Sequence, residues 1–264
     1  MREAPTQPAA VILAAGKGTR MPGDLPKVAH PVGGRPMVCP IVEACVQAGC
    51  GRVVVVVGYK QAVVREALAG YRVEFAVQAE QLGTGHAVQC AEAALSAAPA
   101  PAQVFVLGGD GPLIRASTLT RLLSRHRSTG AAATLATAVI DDPTGYGRIV
   151  RDASGRFERI VEHKNATPEQ RAIREVNPSY YCFDRVPLFD ALREVRPNEA
   201  TRERYLTDVL AIMLGKGLRV EVEPGVPPED VLSINTPAEL AVVDRLYRAR
   251  AGATRTLPHA GLAP

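Results

Sequence analysis

Val11-Ile12-Leu13-Ala14-Ala15-Gly16-Lys17-Gly18-Thr19-Arg20-Met21-Pro22-Gly23-Asp24-Leu25-Pro26-Lys27 joins a short apolar run to a loop rich in glycine and cations. The apolar run is long enough for one buried strand. The loop can lay backbone N–H groups against phosphate oxygens while Lys17, Arg20 and Lys27 supply positive charge. The pattern places a nucleotide or phosphate-ester site at the carboxyl end of the first strand. Two familiar phosphate loops do not fit. A P-loop needs Gly-Lys-Ser/Thr after a four-residue spacer, and Gly16-Lys17-Gly18-Thr19 stands here instead. The dinucleotide fingerprint needs a third glycine where Met21 stands. Pro22 and Pro26 also delay the helix that either motif would start at once. The less favoured alternative is an ordinary basic surface loop.

Outward from this loop, brief β-branched runs alternate with amphipathic segments. Ala9–Ala15, Arg52–Val57, Val73–Val77 and Gln103–Leu107 read as strands. Helices are predicted over Met37–Ala48, stopped by Gly49 and Gly51, then over Gln61–Ala69, Gly85–Ala98 and Ser117–His126, the last with a Ser cap. Residues 97–102 form a small-residue linker. In the second half, strands are predicted at Ala131–Ile140, Gly147–Arg151, Phe157–Glu162 and Glu175–Phe183, and helices at Pro187–Glu194, Tyr205–Gly215 and Pro237–Ala249. Alternating β and α units favour an α/β, doubly wound, mostly parallel central sheet flanked by helices. The expected organisation is one domain over residues 1–250 and a mobile tail over 251–264.

The 264 residues are ample for such a core, and 47% are apolar, which excludes a disordered chain. The formal net charge of +4 suits an anionic small molecule better than nucleic acid, which calls for a dense basic stripe with stacking aromatics. Five cysteines without Cys-x-x-Cys spacing read as reduced, mostly buried thiols. Five histidines form no zinc-like pair. Met1–Pro8 does not resemble a signal peptide, and no apolar run approaches membrane-spanning length. A cytoplasmic protein is expected.

Asp110 follows the strand Gln103–Leu107 in a tight Gly-Gly-Asp-Gly-Pro turn, at the sheet edge where α/β proteins bind ligands. Such a carboxylate can hold Mg²⁺ with water and phosphate oxygens, or it can bond the backbone of its own turn. Gln78 and Gln81 precede Gly83-Thr84-Gly85. A glutamine amide offers a donor and an acceptor side by side, which complements the edge of uracil, and Gly83 lets backbone approach a flat base.

Leu13 to Met21 and Leu25-Pro26-Lys27 resemble the sugar-1-phosphate nucleotidyltransferases, most closely the uridyltransferase domain of bacterial UDP-N-acetylglucosamine pyrophosphorylases. The resemblance continues in order through Gln78-Ala79-Glu80-Gln81-Leu82-Gly83-Thr84-Gly85-His86-Ala87, Gly109-Asp110-Gly111-Pro112-Leu113, and the segment from Asp141 to Ile149. It resumes at Ile160-Val161-Glu162-His163-Lys164, Glu175-Val176-Asn177 and Tyr205-Leu206-Thr207-Asp208, so that about residues 9–250 are covered. It implies a Rossmann-like (GT-A-like) fold. It implies that Arg20, Lys27 and Asp110 are catalytic. Leu13, Ala14, Ala15, Gly16, Gln78, Gln81, Gly83, Thr84 and Gly109 would hold the nucleotide. Gly147, Glu162, Asn177, Tyr205 and Thr207 would hold the sugar phosphate. Mg²⁺ would sit on Asp110 and Asn235, although Asn235 could instead cap the helix starting near Pro237.

The implied reaction joins UTP and N-acetylglucosamine 1-phosphate, with pyrophosphate leaving. The attacking phosphate monoester has a second pKa of about 6 and is largely ionised near neutrality, so it needs no protein base. Three alternatives remain open: another sugar 1-phosphate, dTTP, or a nucleotide-sugar-binding module without turnover. Gly108 stands where the family usually carries an aromatic residue, and Pro178-Ser179 where it commonly has Thr-Gly. The family's bifunctional members continue into hexapeptide repeats that transfer acetyl groups. No such repeat occurs in these 264 residues, so an activity without acetyl transfer is expected. The sequence indicates no oligomeric state.

Overall fold

Residues 7–255 are described by a computed structural model. The chain runs through β1 (Ala9–Ala14), a small hairpin of β2 (Pro31–Val32) and β3 (Arg35–Pro36), α1 (Val38–Gln47), β4 (Arg52–Val57), α2 (Gln61–Ala67) and β5 (Glu74–Val77). It continues with α3 (Thr84–Cys90), α4 (Glu92–Ser96), β6 (Gln103–Gly108), α5 (Ala116–Thr129), β7 (Ala133–Ala136) and β8 (Ala138–Val139). Then come β9 (Gly147–Arg151), β10 (Phe157–Val161), α6 (Pro168–Arg171), β11 (Glu175–Asn177) and β12 (Tyr180–Asp184). The last described elements are α7 (Arg185–Glu194), α8 (Asp208–Gly215), β13 (Val220–Glu223) and α9 (Pro237–Arg255).

The large sheet has the order β13-β7-β12-β6-β1-β4-β5. All its pairings are parallel except those of β12 with β6 and β7. Both faces are covered, which explains the unbroken valine run of β4. Successive residues of β1 feed opposite cores: Ala10, Ile12 and Ala14 pack on one side, and Ala9, Val11 and Ala15 on the other. Full burial of Val11 and Ile12 contributes roughly 1.5–3 kcal/mol each, and each alanine less. Starting from β1, the chain builds outward through β4 and β5, then returns to place β6 on the other flank of β1. The strand order therefore reverses between β1 and β6, and the crevice at such a reversal is where α/β sheets take ligands. Leu13 pairs with Gly108 at that edge.

A second, antiparallel sheet with the order β10-β9-β11-β8 makes the opposite wall. Its presence corrects two expected strands. Ala131–Ile140 divides at Thr137, with β7 joining the large sheet and β8 the small one. Glu175–Phe183 divides at Pro178-Ser179. Proline has no N–H for a ladder, and Ser179 adopts φ +61°, so the strand bends out of one sheet into the other.

Other boundaries move for local reasons. The expected helix Gly85–Ala98 is interrupted at Ala91, giving α3 and α4. Helix α5 begins at Ala116 without a side-chain cap, so Ser117 does not serve as one. Tyr205 and Leu206 precede α8 instead of opening it, because the Leu206 N–H donates to Thr84 Oγ1 at 3.0 Å. The short elements β2, β3, α6 and β13 carry too little periodicity to be read in advance. Helix α9 continues to Arg255, beyond the expected boundary at 250, and the remainder of the expected tail lies outside the described residues. Among the described residues, no helix is long and apolar enough to cross a membrane.

Candidate active site

The crevice at the reversal opens into a cleft of about 440 Å³ between the two sheets. Leu13, Ala15, Gly16, Lys27, Gln78, Gln81, Gly83, Thr84, Gly109, Asp110, Gly147, Glu162, Asn177 and Asn235 all line it. Tyr205 and Thr207 line an adjoining cavity of about 240 Å³, which shares Leu13, Thr84, Gly108 and Glu162 with the cleft. Ala14 is an exception among the expected contacts. Strand alternation turns its side chain into the core, where it is 1% exposed. Lys17 is also turned away from the charge cluster, its Nζ lying 5.3 Å from the centroid of the Tyr59 ring.

The charged centre is compact. Lys27 opens a single 3₁₀ turn after Pro26, and its Nζ donates to Asp110 Oδ2 at 2.6 Å and to Asn235 Oδ1 at 2.6 Å. Arg20 donates from a guanidinium nitrogen to the same Asn235 oxygen at 3.0 Å. Asp110 thus meets a cation across the cleft, and Lys27 is the side-chain partner of its carboxylate. Gly109 makes the approach possible: its N–H donates to Leu13 O at 3.0 Å, and a Cβ there would lie 2.5 Å from that carbonyl. A Cβ at Gly108 would lie 2.8 Å from Asp110 Oδ1, so the missing side chain leaves room for this carboxylate position.

The cap of α9 is Thr236, not Asn235. The Glu239 N–H donates to Thr236 Oγ1 at 3.3 Å, while Glu239 Oε2 accepts from the N–H groups of Asn235 and Thr236. This is a capping box displaced by one residue from the expected cap, and it frees the Asn235 side chain for the cleft. The segment before it is anchored from behind. The Asp230 carboxylate, fully buried, receives Arg250 at 2.5 Å and Arg115 at 2.9 Å, and the Ile234 N–H donates to Asp110 O at 2.9 Å. Asp110 and Asn235 therefore aim two hard oxygens at one position held by an ammonium, a donor set that suits Mg²⁺. Among the described residues, no group of three or more His, Cys, Asp or Glu side chains could hold a metal.

On one wall, Gln78 Nε2 donates to Gly83 O at 3.0 Å, and Gln81 Nε2 donates to Gln78 O at 3.3 Å. Gly83 has φ +99°, and a Cβ there would stand 2.5 Å from Arg204 O, so only glycine suits this turn. Arg204 in turn bonds Leu82 and Gly85 through its backbone, which docks the segment carrying Glu203, Tyr205 and Thr207.

On the other wall, Asn177 Nδ2 donates to Tyr181 OH at 2.6 Å, and Asn177 Oδ1 accepts from the Ser179 N–H at 3.1 Å. Burial pushes the Glu162 carboxyl above the usual range, against a weak hydrogen bond from Thr207 at 3.4 Å. Lys164 donates to Tyr205 OH at 2.5 Å. Pro178 and Ser179, noted for their departure from the family pattern, line the cleft, as do Gly145, Tyr146, Glu203 and Ser233, which were not singled out. Tyr146 lies inside a quoted motif, whereas Glu203 and Ser233 come from segments with no pattern of their own.

Comparison with known proteins gives the family of the chain. A family model described as a MobA-like NTP transferase domain matches residues 10–207. "Bifunctional protein GlmU" of Geobacter metallireducens is 49% identical over 243 residues, covering 92% of this chain and 51% of that protein. The same protein of Pelotomaculum thermopropionicum is 49% identical over 242 residues, covering 92% and 52%. The chain thus spans about half the length of these relatives. A solved structure of UDP-glucose pyrophosphorylase complexed with UDP-glucose superposes with a TM-score of 0.74 at 19% identity, covering 93% of this chain and all of that one, which shows a shared fold. The chain belongs to the MobA-like NTP transferase family and is a nucleotidyltransferase of the 2.7.7 enzyme class.

Proposed function

We propose that this enzyme transfers UMP from UTP to N-acetylglucosamine 1-phosphate, giving UDP-N-acetylglucosamine and pyrophosphate. The observation that carries this reading is the convergence of Lys27, Asp110 and Asn235 in one cleft, with Arg20 bonded to Asn235 at its edge, between a glutamine-and-glycine wall and a wall bearing Glu162 and Asn177. The GlmU relatives, at 49% identity, support the same reading. The cytoplasm, where these phosphates occur, is the proposed location.

The sugar phosphate attacks the α-phosphorus of UTP in line, and the P–O bond to pyrophosphate breaks. The attacking oxygen is already ionised near neutral pH. The chain's task is to place two anions together and offset their repulsion. Lys27 and Arg20 supply positive charge beside the triphosphate. Gln78, Gln81, Gly83 and Thr84 hold the uridine part, with Leu13, Ala15 and Gly16 beside it. Glu162, Asn177, Gly147, Tyr205 and Thr207 orient the sugar. Asp110 and Asn235 would hold Mg²⁺, which supplies charge neutralisation to phosphate oxygens when bound.

A pyrophosphate-release assay with a panel of nucleoside triphosphates and sugar 1-phosphates tests the proposal. UTP with N-acetylglucosamine 1-phosphate should give the highest kcat/KM. A higher value for another pair would reassign the substrates. Absence of release from every pair, with UDP-sugar binding retained, would make the protein a binding module.

A further inference from the structure

We propose that His86 is a positioning residue that sets the hydrogen-bonding character of Gln78 and thereby the choice of pyrimidine. The inference rests on the reading of Gln78 as a base-recognition residue. Gln78 follows β5, its N–H donates to Val57 O at 2.8 Å, and the residue is 3% exposed. A carboxamide has one carbonyl acceptor and two N–H donors. The Gly83 carbonyl can only accept, so the atom 3.0 Å from it is the amide nitrogen. That contact settles which way the amide faces.

The second amide hydrogen points at His86 Nδ1, 3.1 Å away. A hydrogen bond there requires a lone pair on Nδ1. The imidazole is therefore neutral with its proton on Nε2, which faces Cys90 Sγ at 3.9 Å one turn along α3. Both hydrogens of the Gln78 amide are thus committed within the chain. Its Oε1 has no partner among the described residues, so a ligand in the cleft meets an acceptor alone.

An acceptor alone suits a ring N–H, such as the imide N3–H of uracil or thymine. It repels the N3 lone pair of cytosine. Without the imidazole acceptor, only the bond to the Gly83 carbonyl holds the amide, and the whole carboxamide can turn over to present its N–H to the ligand in place of its oxygen. Cytosine then finds a partner, and discrimination falls by about tenfold, the worth of one ordinary hydrogen bond. His86 itself touches no substrate in this account.

The test uses the full chain as wild type, His86→Leu and His86→Gln. The quantity read is the ratio of kcat/KM for UTP to that for CTP, with N-acetylglucosamine 1-phosphate as acceptor. His86→Leu should lower the ratio about tenfold, mainly through a lower KM for CTP, and His86→Gln, whose side-chain carbonyl can accept, should restore most of it. An unchanged ratio in folded His86→Leu, or no difference between the two variants, would overturn the proposal. If His86→Leu does not fold, ¹⁵N NMR of the wild-type imidazoles decides: a neutral ring protonated on Nε2 is expected, and a proton on Nδ1 would refute it. If the wild type releases no pyrophosphate from UTP with any sugar phosphate, the proposed function fails separately. Equilibrium dialysis of UTP against CTP with the same three proteins then gives the ratio directly.

Discussion

Lys27→Met tests the charged centre most directly. The substitution keeps an unbranched stem, which matters because Lys27 packs closely over Gly18: a Cβ on that glycine would fall 2.6 Å from Lys27 Cβ. What is lost is the ammonium, 2.6 Å from Asp110 Oδ2, with the two side chains 15% and 31% exposed. A pair at that separation gains about 1.6 kcal/mol in a water-like dielectric and about 6 kcal/mol at an effective constant of 20. Partial exposure and desolvation place the net value near the lower figure. Two effects should separate. Pyrophosphate release should fall roughly 10²- to 10³-fold, about 3–4 kcal/mol, because a preorganised charge beside the triphosphate is gone. Binding of Mn²⁺ in the absence of nucleotide should tighten about tenfold, because the ion no longer displaces the ammonium from the two oxygens. Stopped pyrophosphate assays and Mn²⁺ paramagnetic resonance titrations measure the two quantities. A turnover within threefold of wild type, or Mn²⁺ affinity that stays the same or weakens, would refute the assignment of Lys27 to this centre.

Gly83→Ala should raise KM for UTP at least tenfold, since its Cβ would stand 2.5 Å from the Arg204 carbonyl at φ +99°; an unaltered KM in steady-state kinetics would show that this turn does not shape the nucleotide wall. Arg202 holds φ +61° on the surface, and Arg202→Gly should stabilise the fold by about 0.5–1 kcal/mol, read from the urea midpoint at constant m; a lower midpoint would contradict the strain argument. Burial raises the Glu162 pKa in the folded protein, so the folded state binds this proton more tightly than the unfolded chain. Its contribution is therefore favourable below the unfolded value near 4.5 and is lost as pH rises through the folded value. Glu162→Gln should accordingly raise Tm at pH 7, with the gain shrinking towards pH 4. A gain independent of pH, or a loss at pH 7, would rule out burial of the carboxylate as its cause.

Much of the architecture was legible in the residues themselves because it depends on local periodicity. The valines of β4 can be satisfied only by a strand covered on both faces, and the alternating β and α units then demand parallel pairing. The cationic loop after β1 and the acidic turn after β6 were visible for the same reason: each is a short contiguous signal at the end of a strand. Their meeting in one crevice follows from the strand order, with β1 flanked by β4 and β6. The split of Glu175–Phe183 was written less plainly, in Pro178 and in the left-handed Ser179, and the small sheet exists because of it.

Tertiary packing decided what no run of residues could show. An asparagine at 235 can cap a helix or reach into the cleft, and the choice fell to Thr236 and Glu239, whose reciprocal bonds complete the capping box. Lys17 and Lys27 are both cations of one loop, yet one lies over Tyr59 while the other bridges Asp110 and Asn235. Side-chain direction in an irregular loop is set by distant partners rather than by sequence spacing. Residue type and strand pattern thus determined the kind of chemistry and the edge of the sheet that holds it, while contacts across more than 200 positions of chain determined which side chains face one another there.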